Sequence, residues 1–226
     1  MQFSEELTAS HPGLLVGTLR VDGLDSRVDQ TAWTKMKQEE TAKLRARLVS
    51  CTRKEMLGSS PFCQYAGYFK KFKKTYPVLL QVESIAFKGR DLSASCPAIE
   101  TLFLAEVVTG LLAAGHDYSL IEPGYKAHLA TGGEILNGFS GERTMKAGDI
   151  CLLAGNRVLS SVLEGQDAVT GLTETTESAL FVAYGLDGME EKRMADFFSL
   201  LGSYIVAAFP DAVLHEGKIY NPEGPQ

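Results

Sequence analysis

The order of hydrophobic patterns along the chain restricts its fold most strongly. After one β-rich run at 14–21, apolar residues recur at the three- and four-residue spacing of helices until about residue 115. From Tyr125 onward they fall in short β-type runs separated by glycines, and a last helix follows at about 190–209. Helices and strands that are segregated along a chain favour an α+β fold over a doubly wound sheet.

Local signals give the individual elements. Capping residues, glycines and prolines bound the helices of the first half, and alternation marks the strands of the second half. We expect helices at about 30–56, from 65, from 75 to 89 and from 95 to 115, and strands at 125–130, 134–139, 149–154, 157–163 and 179–185. The polar tail 221–226 is expected to fray.

Length and composition indicate one domain that spans residues 1–226. The chain is 45% hydrophobic and 22% charged, which is typical of soluble globular proteins. The N-terminus shows no signal peptide, and no apolar run approaches the roughly 20 residues of a membrane span. We therefore expect a cytoplasmic protein without a membrane partner.

Signatures of catalysis and of metal binding are missing from the sequence. The four cysteines are widely spaced and lack zinc-ligand spacing, so free thiols in a reducing cytosol are the simplest interpretation. The chain contains no G-x-S-x-G elbow, Walker loop or H-E-x-x-H pair, and its four histidines are scattered. We predict neither a metal nor a cofactor.

The charge of the chain is unevenly distributed. Between Lys35 and Lys74 there are 11 Lys and Arg residues against three Glu, whereas the rest of the chain carries 11 basic and 25 acidic residues. A basic segment on an acidic body can bind a phosphate backbone, although such segments are more often solvated helix faces. The candidate RNA-binding residues are Arg45, Arg47, Lys70, Lys71, Lys73 and Lys74.

Aromatic residues accompany the lysines at the end of this segment. The aromatic residues that share helical spacing are Tyr65, Tyr68, Phe69 and Phe72. Interleaved aromatic and basic residues can stack on bases and neutralise phosphates. The alternative is an amphipathic helix whose aromatics enter the core, and the single aromatic stripe favours that alternative.

Two alternating runs around Gly132-Gly133 predict a β-hairpin, because glycine tolerates the positive φ of tight turns. The runs are 125–130 and 134–139. Glu134 follows the turn directly, where the backbone can approach a ligand closely, so Glu134, Gly132 and Gly133 are candidate ligand-binding residues. A solvated glutamate at the mouth of the hairpin is the alternative.

A group of threonines precedes the apolar run at 179–185. Thr170, Thr173 and Thr176 are candidate ligand-binding residues, since their hydroxyls can bind a ligand or order water. Turn or strand-start chemistry is the alternative for these residues.

Four motifs follow one another between Pro97 and Leu186. They are Pro97-x-x-Glu100 with Gly110, Asp117, Ile121-Glu122 and Gly124; Ala130-Thr131-Gly132-Gly133-Glu134; Gly148-Asp149; and Thr170-x-x-Thr173-Glu174-x-Thr176 before Ala179 to Gly185. In this order and spacing they resemble the B3/B4 domain of the bacterial phenylalanyl-tRNA synthetase β subunit, in its short stand-alone form. The core of the resemblance covers about 65–186, and 187–209 is then the C-terminal helix.

The resemblance implies an α+β fold with a mixed β-sheet or sandwich-like core and helices packed on one side. In the synthetase this domain hydrolyses tyrosine mischarged onto phenylalanine tRNA, and the glutamate that recognises the tyrosine hydroxyl matches Glu134. A buried carboxylate that accepts the phenol hydrogen bond rejects the analogue without the hydroxyl. Hydrolysis there rests on a positioned water rather than on a dedicated nucleophile.

The chain departs from the stand-alone members in two places. It has Glu100 and Phe103 where they often carry Asp and Asn, and 160–165 replaces a Trp-Asn-containing, Arg-rich stretch. The missing arginines would be partners for phosphate or carboxylate groups. A complete synthetase does not fit in 226 residues.

Three functions agree with these observations. The first, which we favour, is a tRNA-binding module that hydrolyses mischarged aminoacyl-tRNA in trans, as an ester hydrolase. The second is a non-catalytic protein that binds an amino-acid-like small molecule in the same pocket. The third is an RNA- or protein-interaction module without a ligand pocket.

Overall fold

The fold is α+β, as the sequence predicts, and the computed structural model describes residues 1–224. The end of the predicted frayed tail, 225–226, lies outside the described residues. The helices are α1 (Glu5–Ser10), α2 (Thr31–Leu48), α3 (Arg53–Gly58), α4 (Phe62–Lys71), α5 (Pro77–Ala86), α6 (Pro97–Thr109) and α7 (Glu191–Ala208). The strands are β1 (Gln2–Phe3), β2 (Leu15–Asp22), β3 (Leu112–Asp117), β4 (Tyr125–Leu129), β5 (Ile135–Gly138), β6 (Gly141–Thr144), β7 (Ile150–Ala154), β8 (Arg157–Ser161), β9 (Gly165–Gln166), β10 (Ser178–Gly185), β11 (Val213–Leu214) and β12 (Lys218–Tyr220).

The first sheet is built around β10. This strand pairs antiparallel with β2 on one side and with β3 on the other, and β11 and β12 both pair with β2. Every residue of β10 after the first is buried. Helix α7 covers β2 closely because Gly17 has no side chain: a Cβ there would stand 2.9 Å from the Cγ of Met194. This sheet therefore forms the centre of the molecule.

The second sheet runs in the order β1-β4-β7-β8-β9, with β1 parallel to β4 and the other pairs antiparallel. Leu152 and Leu159 of this sheet share the main core with Phe181 of the first sheet. The β5–β6 hairpin stands apart from both sheets. Leu136 of that hairpin is buried with Met145 in a small second core, which holds the hairpin against β7 and β8.

Helix α4 is amphipathic, so the alternative that the aromatic stripe favoured is confirmed. Tyr65, Tyr68 and Phe69 are buried, whereas Lys70 and Lys71 are exposed. The aromatics therefore attach α4 to the core and leave its lysines in solvent.

The predicted hairpin around Gly132-Gly133 is wrong. Strand β4 pairs with β7 and strand β5 pairs with β6, so the two runs are not partners. The backbone N–H groups of 131–133 donate to the Glu134 carboxylate instead of crossing a hairpin turn. Ala130 meanwhile extends the β4–β7 pairing through two hydrogen bonds to 148–149.

Two predicted helices are too long. The helix expected at 30–56 ends at Leu48, because Thr52 and Glu55 form a reciprocal capping box that begins α3. The helix expected to reach 115 ends at Thr109, since Gly110 closes it with φ of 75°. The residues after Gly110 then form β3, which the sequence pattern did not reveal.

A buried glutamate on α6 makes the stability of the protein dependent on pH. The Glu106 carboxyl accepts a hydrogen bond from the Ala113 N–H at 2.8 Å at the start of β3. Burial raises its pKa to about 8, although that hydrogen bond acts in the opposite direction. The folded chain therefore keeps a proton on Glu106 at pH values where the unfolded chain has lost it.

We expect the contribution of Glu106 to the unfolding free energy to fall as the pH rises from about 5 to 8, by up to about 1.4 kcal/mol per pH unit, and to level off above the folded pKa. A carboxyl whose pKa is raised by folding contributes stability that is present below its unfolded pKa and lost as the pH rises through the folded pKa. Glu106→Gln keeps the acceptor and removes the proton, so its urea unfolding profile should be flatter over this range. Parallel profiles for the two proteins would contradict the assignment.

Candidate nucleic-acid interface

Six cations from two distant segments lie together at the C-terminal end of α4. The Lys146 Nζ donates to the Phe72 carbonyl oxygen at 3.5 Å, which joins the segment after β6 to the end of the helix. Lys74 and Arg143 meet at Glu164, a second link between the same regions. We name this surface the basic patch, and its members are Lys70, Lys71, Lys73, Lys74, Arg143 and Lys146.

The end of α4 explains why its lysines project into solvent. The Lys74 N–H donates to the Phe69 carbonyl oxygen and the Lys73 N–H to that of Lys70, both at 3.0 Å. This is the Schellman arrangement, in which the residue after the helix takes a left-handed conformation and is usually glycine. Here it is Lys73, with φ of 59°. The sharp turn leaves the Lys70 and Lys73 side chains exposed.

Two members of the basic patch bind one carboxylate. Glu164 accepts from the Lys74 Nζ at 2.6 Å and from the Arg143 Nη1 at 3.2 Å, and its side chain is only 6% exposed. Burial by itself would raise the Glu164 pKa, but the two cations outweigh burial and lower it. Among residues 1–224, the other four lysines of the patch form no ion pair. The patch therefore keeps a clear excess of positive charge.

A buried network beneath the patch fixes α4 relative to the second sheet. Asp149 is fully buried and accepts from the Tyr68 hydroxyl at 2.6 Å, from the Ser161 hydroxyl and from the Leu163 N–H at 3.2 Å. The Tyr68 oxygen in turn accepts from the Ile150 N–H at 2.7 Å. Burial raises the pKa of Asp149 to about 6, against the effect of these hydrogen bonds. The network sets the position of α4, whose last turn and the residues directly after it carry four of the six cations.

The Glu134 turn borders the patch. A Cβ on Gly132 would stand 3.3 Å from the backbone nitrogen of Ala147, the residue after Lys146. The Glu134 carboxylate accepts from His128 Nε2, from the Thr131 hydroxyl and from three backbone N–H groups at 2.8 to 3.1 Å. Burial would raise the Glu134 pKa, but the backbone donors and His128 hold it far below its usual range. This carboxylate is ionised and already well supplied with donors.

The three predicted threonines occupy two separate places. Thr170 is buried, and its hydroxyl bonds to His116 Nδ1 at 2.8 Å and donates to Asp167 Oδ2 at 3.2 Å. Burial lowers the pKa of His116 to about 4, so the ring is neutral. Thr176 instead donates to Asp117 Oδ2 at 2.9 Å and accepts from the Thr173 N–H. No hydrogen bond within 1–224 links these threonines to the Glu134 turn.

Arg45 and Arg47 cap other helices. Arg45 donates to the carbonyl oxygen of Ile85 and to that of Arg90, around the end of α5. Arg47 donates to the Val108 carbonyl oxygen near the end of α6 at 2.7 Å. Both guanidinium groups thus satisfy carbonyl oxygens at the C-terminal ends of helices, as arginines near those ends commonly do.

Sequence reasoning missed Arg143, Lys146 and Glu164. They lie about 70 to 90 positions from the lysines that they join. A charge count along the chain finds the Lys70–Lys74 run. It cannot show which later segment lies next to that run in the folded protein. Within 1–224, no group of His, Cys, Asp and Glu side chains could hold a metal ion. No helix of the same range is long and apolar enough to cross a membrane.

Comparison with known proteins assigns no family. No protein-family model and no curated protein matches the chain. Among solved structures, the chain is similar to an N-terminal fragment of the phenylalanyl-tRNA synthetase β-subunit from Pyrococcus horikoshii, with 14% identity and a TM-score of 0.47. The match covers 96% of this chain and 49% of that fragment, so the chain spans about half the fragment's length. At this level the likeness assigns neither a family nor a function.

Proposed function

We propose that this chain binds RNA, with tRNA as its partner, through the basic patch. The observation that supports the proposal is the convergence of Lys70–Lys74 with Arg143 and Lys146 around one largely buried carboxylate. The formal net charge of the chain is −6, so the rest of the molecule is strongly acidic. A local positive excess on such a molecule attracts phosphates to one place and orients the RNA there.

The choice of tRNA rests on the sequence. The motifs between Pro97 and Leu186 resemble a domain that acts on the aminoacyl end of tRNA. A general polyanion site would need only the lysines, whereas this chain combines them with the Glu134 turn at the border of the patch.

Fluorescence anisotropy with labelled tRNA at increasing salt tests the proposal. If all six cations contact phosphates, the logarithm of the binding constant should fall against the logarithm of the salt concentration with a slope of about −4 to −5. Each bound lysine or arginine displaces condensed counterions, which produces this dependence. Absence of saturable binding at low salt, or binding that salt leaves unchanged, would contradict the proposal.

Hydrolysis of mischarged aminoacyl-tRNA is the finer form of this proposal, and binding of a free amino acid is its alternative. Both take Glu134 as the acceptor of a ligand hydroxyl. Tyr-tRNA incubated with the protein and with Glu134→Gln distinguishes them. Tyrosine release above the buffer rate that the variant lacks supports hydrolysis. Thermal stabilisation by tyrosine without release supports amino-acid binding.

A further inference from the structure

We propose that Phe139, at the tip of the β5–β6 hairpin, is a stacking platform for an unpaired RNA base, next to the basic patch. This inference rests on the proposed function and narrows it to a single-stranded segment of RNA. Phe139 is 66% exposed, more than any other phenylalanine, tyrosine or tryptophan among residues 1–224. Such exposure of a large aromatic side chain calls for an explanation.

The Phe139 ring contacts the protein at Gly171, and most of its side chain is open to solvent. The ring lies over Gly171, where an added Cβ would stand 2.7 Å from the phenylalanine Cζ. Val169, two residues before Gly171 in the chain, is 52% exposed and adds apolar surface to the loop that the ring contacts. An aromatic ring that is held by a contact at its tip and is otherwise largely open to solvent can accept a base in a stack.

The support of the ring is rigid. The Ala168 N–H donates to the Asn137 carbonyl oxygen at 2.6 Å, and Gly138 forms a β-bridge with Asp167. Leu136 is fully buried at the base of the hairpin. The hairpin is therefore fixed to the 167–171 loop, and a base that stacks on Phe139 does not have to order a loose loop.

Cations connect the platform to the basic patch. The Arg143 Nε lies 3.9 Å from the point where a Cβ of Gly138 would stand, next to Phe139 along the chain. The same guanidinium binds Glu164, which also binds Lys74. The neighbouring acid on β6, Glu142, faces away from Arg143, because successive strand side chains point to opposite faces. An RNA backbone that runs from Lys74 would thus pass Arg143 and then reach the exposed Phe139 ring.

The class of ligand follows from this combination. Bases within an RNA duplex are paired and stacked, and their faces are not available to a protein side chain. Basic residues beside an exposed aromatic ring bind single strands with little sequence preference, because every base has a π-face. The platform therefore fits a single-stranded end or loop, and a duplex would use the lysines alone.

Anisotropy with two labelled RNAs of equal length, oligouridylate and a blunt hairpin duplex, tests the inference. Phe139→Ala should weaken oligouridylate binding about ten-fold, while Phe139→Trp should retain it. Duplex binding should change less than two-fold in either variant, as its contacts are ionic. Gly171→Ala, which displaces the ring without removing it, should weaken oligouridylate binding in the same direction.

Phe87→Ala is the matched control, since Phe87 is a 45% exposed phenylalanine at the end of α5. It should leave both affinities unchanged. Equal losses for the two RNAs in Phe139→Ala, or none for oligouridylate, overturn the platform while RNA binding by the patch stands. A change in sedimentation with unchanged RNA affinity shows a protein contact instead and also overturns it. If the unaltered protein binds neither RNA, the proposed function fails together with the platform.

Discussion

Lys73→Glu/Lys146→Glu is expected to lower the affinity for tRNA about 50-fold at moderate salt and to reduce the salt slope by about two. Lys73 and Lys146 come from the two segments that form the basic patch, and both side chains are exposed. Each reversal removes an attraction to phosphate and adds a repulsion. Neither side chain forms an ion pair within 1–224, and the only hydrogen bond lost there is the long 3.5 Å contact from Lys146 to the Phe72 carbonyl oxygen, so the fold loses little. Fluorescence anisotropy with labelled tRNA measures the change.

The control carries the same change in net charge elsewhere. Lys88 and Lys218 are also exposed, and Lys88→Glu/Lys218→Glu should lower the affinity less than five-fold, an effect of long-range repulsion alone. Equal losses in the two double variants would show that total charge governs binding, and the basic patch would then have no special part in it.

Asp149→Ala is expected to lower the free energy of unfolding by about 3 kcal/mol or more. The substitution leaves the hydroxyls of Tyr68 and Ser161 and the N–H of Leu163 without their acceptor inside the core. Urea denaturation followed by circular dichroism measures the loss. Asp211→Ala, at an exposed aspartate, should change the unfolding free energy by less than about 0.5 kcal/mol.

Asp149→Asn separates the contribution of the hydrogen bonds to stability from the contribution of the side-chain volume. The amide keeps the size and one carbonyl acceptor but presents an NH₂ group to donors that need an acceptor. Its unfolding free energy should therefore lie between those of the unaltered protein and Asp149→Ala. Wild-type stability in both variants would show that the network does not anchor α4, and the geometry of the basic patch would need another explanation.

The α+β class could be predicted from the sequence, because helical and alternating patterns occupy different parts of the chain. The same patterns identified Tyr65, Tyr68 and Phe69 as one helix face, which the structure confirms as buried. These patterns do not show which strands pair with each other. The runs on either side of Gly132-Gly133 have the composition of a hairpin, yet the Glu134 carboxylate attracts the N–H groups that such a turn would use.

Only part of the candidate site could be predicted from the sequence, for a related reason. The lysines of α4 follow from local composition, whereas Arg143 and Lys146 join them only because Tyr68 and Asp149 lock the helix over β7. A hydrogen bond between residues 81 positions apart leaves no periodic trace in the sequence. The same limit applies to the threonines, which lie close in the chain but bond to His116 and Asp117, two residues whose side chains point to opposite faces of β3.

The left-handed backbone conformation of Lys73 has opposite consequences for the stability of the fold and for the proposed RNA binding. Glycine is the residue that this position accepts at the least conformational cost, and a lysine there costs about 1 kcal/mol. Directed evolution for heat resistance alone would therefore favour Lys73→Gly, a substitution that would remove one of the proposed phosphate contacts. Such an experiment would retain Lys73 only if it also selected for RNA binding.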